Sequence, residues 1–501
     1  MIKKLLIERE FLLVLALFTL LRLVAVRFMG LMPQDAYYTY YSDDLALSYF
    51  DHPPMIAYMI KLFTFILGKS VLTLHIADFI MTSFTLLFVY LLIRPSLKVE
   101  TVKRAVILLI TAPFITILSI NSTPDVPLLF FWSLTLLLAF NAVKSGKLYL
   151  WIAAGIVAGL AFDSKYTAIF LPLGLSLFLL ISKEHRGRLF SREFLMFVLA
   201  FFIAILPVVI WNIDNEFISF RYQAAERATQ MSSFSFNPLH FPGYFASQLL
   251  LALPLLFISI FASGYLLVRR FIRGEKIEDC LLFAASFALP MLLVFTGISF
   301  IYWVKINWIM PVYLSGVVLA ALYLKSNSLI RWQTGFSVVF HIALIVQLIW
   351  MPAKVNSDDT WWGWEKLAQK VESLNTKNPH DFIFSDNSYK VSAVLNFYMA
   401  DHIYAGNVIE RSAFQFALDD DNLSHLWGRD AIYVTTDRFR RKRIKEGTVE
   451  QILNPYFSGV HIMDSLILMD SDGDEHRRFY FYHCHNYMPL EQLKKPGINP
   501  G

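Results

Sequence analysis

Residues 11–54 read FLLVLALFTLLRLVAVRFMGLMPQDAYYTYYSDDLALSYFDHPP. An apolar run over 11–29 is long enough to cross a bilayer, and it passes directly into a segment carrying Asp35, Asp43, Asp44 and Asp51 among five tyrosines. Arg22 and Arg27 interrupt the run; Arg27 is expected to snorkel to the membrane surface and Arg22 to face other helices rather than lipid. Carboxylates and aromatic rings where a chain has just left the bilayer point to chemistry at the membrane surface.

The remaining sequence repeats the first half of this pattern. With 56% hydrophobic and 17% charged residues over 501 positions, the chain has more apolar surface than a soluble domain can bury, and it reads as a polytopic membrane protein. Apolar stretches at 11–29, 71–93, 105–121, 126–143, 148–163, 166–182, 194–211, 243–268, 280–301, 308–324 and 332–350 predict about eleven transmembrane helices. Residues 55–67, with Lys61 at their centre, read as an interfacial helix. Lysines and arginines between alternate spans fall on one side, so the N-terminus is expected in the cytoplasm, with the segment at 30–70, Asp125, Lys165, the 212–242 loop and Lys305 outside. The net charge of +5 belongs to those basic loops and implies no nucleic-acid partner. Met1-Ile2-Lys3-Lys4 opens like a signal peptide, yet no small-residue cleavage site follows, so the first span reads as a retained anchor. Two cysteines, Cys280 and Cys484, suggest neither a disulfide nor a thiolate metal site.

After residue 351 the composition turns globular. A helix over 364–374 and strands at 382–384, 431–435 and 465–469 predict a small soluble α/β domain over 352–501, external if the alternation of charges holds. The fold expected is therefore mostly α: a helical membrane domain over 1–351 and an extracytoplasmic α/β domain. The runs Asp419-Asp420-Asp421 and Asp470-Ser471-Asp472-Gly473-Asp474 lack the remainder of a calcium loop and read as solvated turns.

Several short motifs stand at the expected external ends of the spans. They are Asp35-Ala36-Tyr37-Tyr38, Tyr49-Phe50-Asp51-His52-Pro53-Pro54, Thr123-Pro124-Asp125, Ser164-Lys165-Tyr166, Ser219-Phe220-Arg221 and Asn307-Trp308 followed by Pro311. Together they resemble the GT-C glycosyltransferases, in the branch of bacterial protein-mannosyltransferase-like and aminoarabinose-transferase-like enzymes that modify lipid A or lipopolysaccharide. The resemblance extends into the tail through Gly363-Trp364 and Ser385-Asp386-Asn387. It implies an inner-membrane enzyme that moves one sugar from a polyprenyl-phosphate donor to a lipid, glycan or protein acceptor on the external, periplasmic side. It also aligns Asp35 and Asp125 with the family's catalytic acidic positions, although Asp35-Ala36 stands where the family more often has Asp-Glu-Ala.

The residue types suit that chemistry. A sugar whose C1 is bonded to phosphate is already activated, so transfer needs a base at the acceptor hydroxyl and cations on the leaving phosphate. Asp35 is expected as the base, with inversion at C1, and Lys61, Lys165, Arg221 and Lys305 as the cations. Tyr37, Tyr38, Asp51, His52 and Asn307 are expected to position the acceptor or the loop. No metal ligand set stands out, and dependence on a divalent cation stays open. His75 and Asp78, spaced i and i+3 within a span, share a helix face. With Arg22 they sustain a rival reading as a transporter or lipid flippase, whose ionisable groups would sit at mid-membrane depth.

Overall fold

The computed structural model describes residues 2–231, 236–355, 357–437, 447–470 and 473–489, so Ser471 and Asp472 of the second acidic run lie outside the described residues. Every apolar stretch forms helix. Among the described residues seven helices are long and apolar enough to cross a membrane: Arg9–Phe28, Val71–Ile93, Asp125–Ser145, Arg192–Asp214, Pro254–Ile272, Asp279–Ile298 and Asn327–Trp350. Four shorter apolar helices, Met55–Leu67, Leu148–Phe162, Tyr166–Ile181 and Met310–Tyr323, complete a multi-pass bundle.

Two of the expected spans are broken, each at a proline. The 105–121 stretch divides into Val99–Ile110 and Pro113–Ile117, because Ala112 is extended ahead of Pro113. The 243–268 stretch divides into His240–Ala252 and Pro254–Ile272, with Leu253 at a φ of 64° between them. Small residues set the closest helix approach: a Cβ at Gly155 would collide with the Phe197 carbonyl, and one at Gly159 with Ala204. Arg22 is buried, donating to Ser119 Oγ at 2.8 Å and lying over the Phe79 ring, while Arg27 is exposed.

The C-terminal region holds a five-stranded sheet of β1 (Phe382–Ser385), β2 (Ile403–Tyr404), β3 (Ala431–Thr436), β4 (Phe457–Met469) and β5 (Glu475–Tyr487), in the order β2-β1-β3-β5-β4. β2, β1 and β3 run parallel, whereas β5 is antiparallel to both β3 and β4. The sequence signalled β1, β3 and the end of β4 but not β5, whose polar histidines and arginines mask its alternation.

This sheet region packs onto the segment that follows the first span. Helix Lys390–Tyr398 lies against helix Pro33–Asp43, and Tyr37 stacks on Tyr389 with ring centroids 4.3 Å apart. A turn at 414–416 inserts beneath it: Phe416 stacks on Tyr40, the Gln415 backbone N–H donates to the Tyr37 hydroxyl, and Gln415 Oε1 accepts the Phe50 N–H at 2.8 Å.

Candidate active site

A cavity of about 350 Å³ opens where the first-loop segment, the 117–125 turn, the start of helix Tyr166–Ile181 and the 302–310 segment meet. Its charged lining consists of Asp51, His52, Asp125, Lys165 and Lys305, beside Tyr38 and Asn307. Seven of the eleven residues proposed from sequence therefore face one space.

Asp125 is the first residue of helix Asp125–Ser145, where the helix dipole favours a negative charge. It is 2% exposed, and both its oxygens accept from Lys165 Nζ, at 2.8 and 3.0 Å. Asn307 Nδ2 donates to it as well, at 2.5 Å. The three residues come from three separate segments, so the cluster ties the cavity wall together and leaves Asp125 with its charge balanced.

Asp51 is held differently. The Tyr49 N–H donates to the His52 carbonyl at 3.2 Å, closing a tight turn that aims the Asp51 side chain back at helix Pro33–Asp43. There Tyr41 donates to Oδ1 in a short hydrogen bond and Tyr37 donates at 3.4 Å, while the His52 ring stands 3.9 Å from Oδ2. Burial lifts the Asp51 carboxyl to about 6, even though the Tyr41 and Tyr37 hydroxyls and the nearby Lys305 charge work to lower it. Gln223 supports the turn from outside, donating to the Asp51 carbonyl at 2.6 Å.

Asp35, expected as the base, does not line this cavity. It is fully buried one layer behind the wall, where Oδ2 accepts the Met32 N–H at 2.9 Å and Oδ1 accepts the Ser122 N–H at 2.7 Å. The first bond caps helix Pro33–Asp43 three residues in, and the second fastens that helix to the 119–125 turn. Below it Ser122 donates to Asp78 at 2.8 Å, and His75 lies 3.6 Å from Asp78. Lys61 and Arg221 also lie outside the cavity and, unlike Asp35, are exposed, since the helices carrying them turn other residues inward. Asp35→Asn is expected to leave one backbone N–H without its acceptor, costing about 1–3 kcal/mol of stability. Thermal unfolding in detergent checks this, and the pH profile of any remaining activity should keep its midpoint.

Sequence reasoning missed Tyr41, Gln223 and Gln415. The i, i+4 spacing of Tyr37 and Tyr41 would have put both hydroxyls on one helix face had the acidic segment been read as helix. Gln415, 365 residues from its partner Phe50, has no local signal.

The site thus combines a many-helix, membrane-type bundle, a cavity of carboxylates, lysines and amides, and an adjacent small sheet domain. A model of the dolichyl-phosphate-mannose-protein mannosyltransferase family matches residues 51–211, which include Asp51, His52, Asp125 and Lys165. The lipid A galacturonosyltransferase RgtD of Rhizobium johnstonii is 25% identical over 402 residues, 76% of this chain and 80% of RgtD. ArnT from Cupriavidus metallidurans, solved bound to undecaprenyl phosphate and in the apo state, shares the fold at 14% identity. Its TM-scores are 0.63 and 0.62, covering 94% of this chain and 97% of ArnT. The chain has the fold of these GT-C membrane glycosyltransferases and is similar to them in sequence.

Proposed function

We propose that the protein transfers a single sugar from a polyprenyl-phosphate donor to lipid A at the external face of the inner membrane. The observation that carries this reading is the pairing, in one cavity at the edge of the bundle, of a buried carboxylate at Asp51 with the Lys305 ammonium. The acceptor named for RgtD and the polyprenyl phosphate bound to ArnT support the two substrate classes. A polyprenyl-phosphate hexuronate is the first donor to test, because RgtD is a galacturonosyltransferase.

In this mechanism the acceptor hydroxyl attacks C1 from the face opposite the phosphate, and its proton passes to Asp51. The C1–O bond breaks with inversion, and polyprenyl phosphate departs with its charge met by Lys305. Tyr37 and Tyr41 fix the Asp51 carboxylate, and His52 and Tyr38 border the sugar. Asp125, Lys165 and Asn307 keep the cavity wall in register, and Asp35 holds the first-loop helix to it. Among the described residues no group of three metal-ligating side chains converges in this cavity, and no step here is routed through a cation. The transporter reading loses its main support, because Arg22 and Asp78 are bonded to Ser119 and Ser122 of the turn that backs the site.

Lys305→Ala is expected to weaken donor binding by about 1.5–3 kcal/mol, the loss of one charge-assisted contact. Arg221→Ala should change it by less than about 0.5 kcal/mol, as an exposed substitution away from the cavity does. Titration with polyprenyl phosphate measures both. For orientation, Ser458→Cys is exposed whereas Cys484 is buried, so a membrane-impermeant thiol reagent on intact spheroplasts should label only the engineered position. Labelling of Ser458→Cys only after permeabilisation would reverse the topology.

A further inference from the structure

On the sheet, three histidines share one face. His461 on β4 pairs directly across from His483 on β5, and His485 lies two residues further along β5, so the strand period of two turns all three side chains the same way. Their ring centroids are 4.2 to 5.4 Å apart, and one nitrogen from each lies within 4.8 Å of the others.

Two of the rings are also oriented from behind. His483 Nε2 meets Asp381 Oδ2 at 2.9 Å, and His485 Nδ1 meets Asp430 Oδ2 at 2.9 Å. A carboxylate on one ring nitrogen fixes the tautomer and makes the other nitrogen a better donor, which is how metal-ligating histidines are commonly held. That leaves Nδ1 of His483 and Nε2 of His485 for a ligand.

We propose that His461, His483 and His485 form a binding site for a divalent transition-metal ion of the zinc type, outside the sugar-transfer cavity. Three imidazoles favour zinc over calcium or magnesium, with Asp381 and Asp430, which converge on His483, as supports of the rings. In a tetrahedral site with Zn–N near 2.0 Å the ligand nitrogens stand about 3.3 Å apart, so the three rings need to draw together. The exposed position of His461 and the half-exposed position of His485 allow that movement by side-chain rotation. The fourth position is left to water. Such an ion would fasten β4, the edge strand, to β5 by side chains as well as by the backbone ladder.

The test uses the full-length protein in detergent, purified through a tag without histidine, stripped with a chelator and titrated with zinc chloride alone. One equivalent should bind with a dissociation constant below ~10 µM near pH 7.5, and at least ~10-fold more weakly near pH 5.5, where protons compete for the imidazoles. His461→Gln, His483→Gln and His485→Gln should each weaken binding by at least ~10-fold, and Asp381→Asn or Asp430→Asn by about 10-fold without removing a ligand. Circular dichroism and retained sugar transfer would show that the triple His→Gln protein is folded. Zinc binding by that folded triple variant with the stoichiometry and affinity of the parent would overturn the site, and so would absence of binding by the parent.

Discussion

Asp51→Asn is expected to lower sugar transfer by at least ~10²-fold, the usual contribution of a positioned base, while the protein still folds and binds polyprenyl phosphate. The amide keeps the size of the carboxylate and can still accept from Tyr41, so the turn built on Tyr49 and His52 should persist. The parent enzyme should show a matching pH dependence. Only ionised Asp51 can take the acceptor's proton, and burial has raised its carboxyl to about 6, so transfer should fall as pH drops through that value and level off above it. In the Asn variant the residual rate should lose this inflection. Near-normal transfer by Asp51→Asn would remove it as the base. Loss of at least ~10²-fold in a fully folded Asp35→Asn protein would return that role to Asp35.

Lys165→Ala should cost the most stability of any cavity substitution. Asp125 is 2% exposed and Lys165 9%, and removing one partner of a buried pair typically costs 3–5 kcal/mol because the other charge is left uncompensated. The double variant Asp125→Asn with Lys165→Met removes both charges and should recover most of that stability, since the pair's attraction is largely offset by the cost of burying it. Activity should stay low in the double variant, because the link from Asp125 to Asn307 is changed with it. Thermal unfolding and initial transfer rates on the same preparations separate the two effects. A single variant as stable as the parent would mean that the cluster does not tie the wall together.

The membrane helices and the tyrosine-rich, acidic first loop were legible because hydropathy and local motifs carry them. The breaks at Pro113 and Pro254 were visible as prolines, yet each stretch's hydropathy was continuous and concealed the bend. Asp51, His52, Asp125, Lys165 and Asn307, which line the cavity, could be singled out because each sits in a short motif near a helix end, and Lys305 because it lies two residues before one. What the sequence did not reveal was direction. Asp35 faces backward because the Ser122 N–H, 87 residues away, claims one of its oxygens, and no local pattern encodes that partner. Lys61 and Arg221 were chosen by charge and depth, but helix rotation leaves them exposed. Support for Tyr37 and Phe50 from Gln415 depends on the packing of the whole C-terminal region and emerges only in three dimensions.

The central claim is that the chain forms a covalent bond between sugar and lipid rather than moving a lipid across the membrane. Purified protein in vesicles should be given lipid A and a polyprenyl-phosphate hexuronate labelled in the sugar, and the lipid A analysed by mass spectrometry. The account predicts lipid A heavier by one hexuronosyl residue, formed in step with release of polyprenyl phosphate and lost in Asp51→Asn. Labelled donor appearing in the opposite leaflet, with no sugar attached to any acceptor lipid, would contradict it.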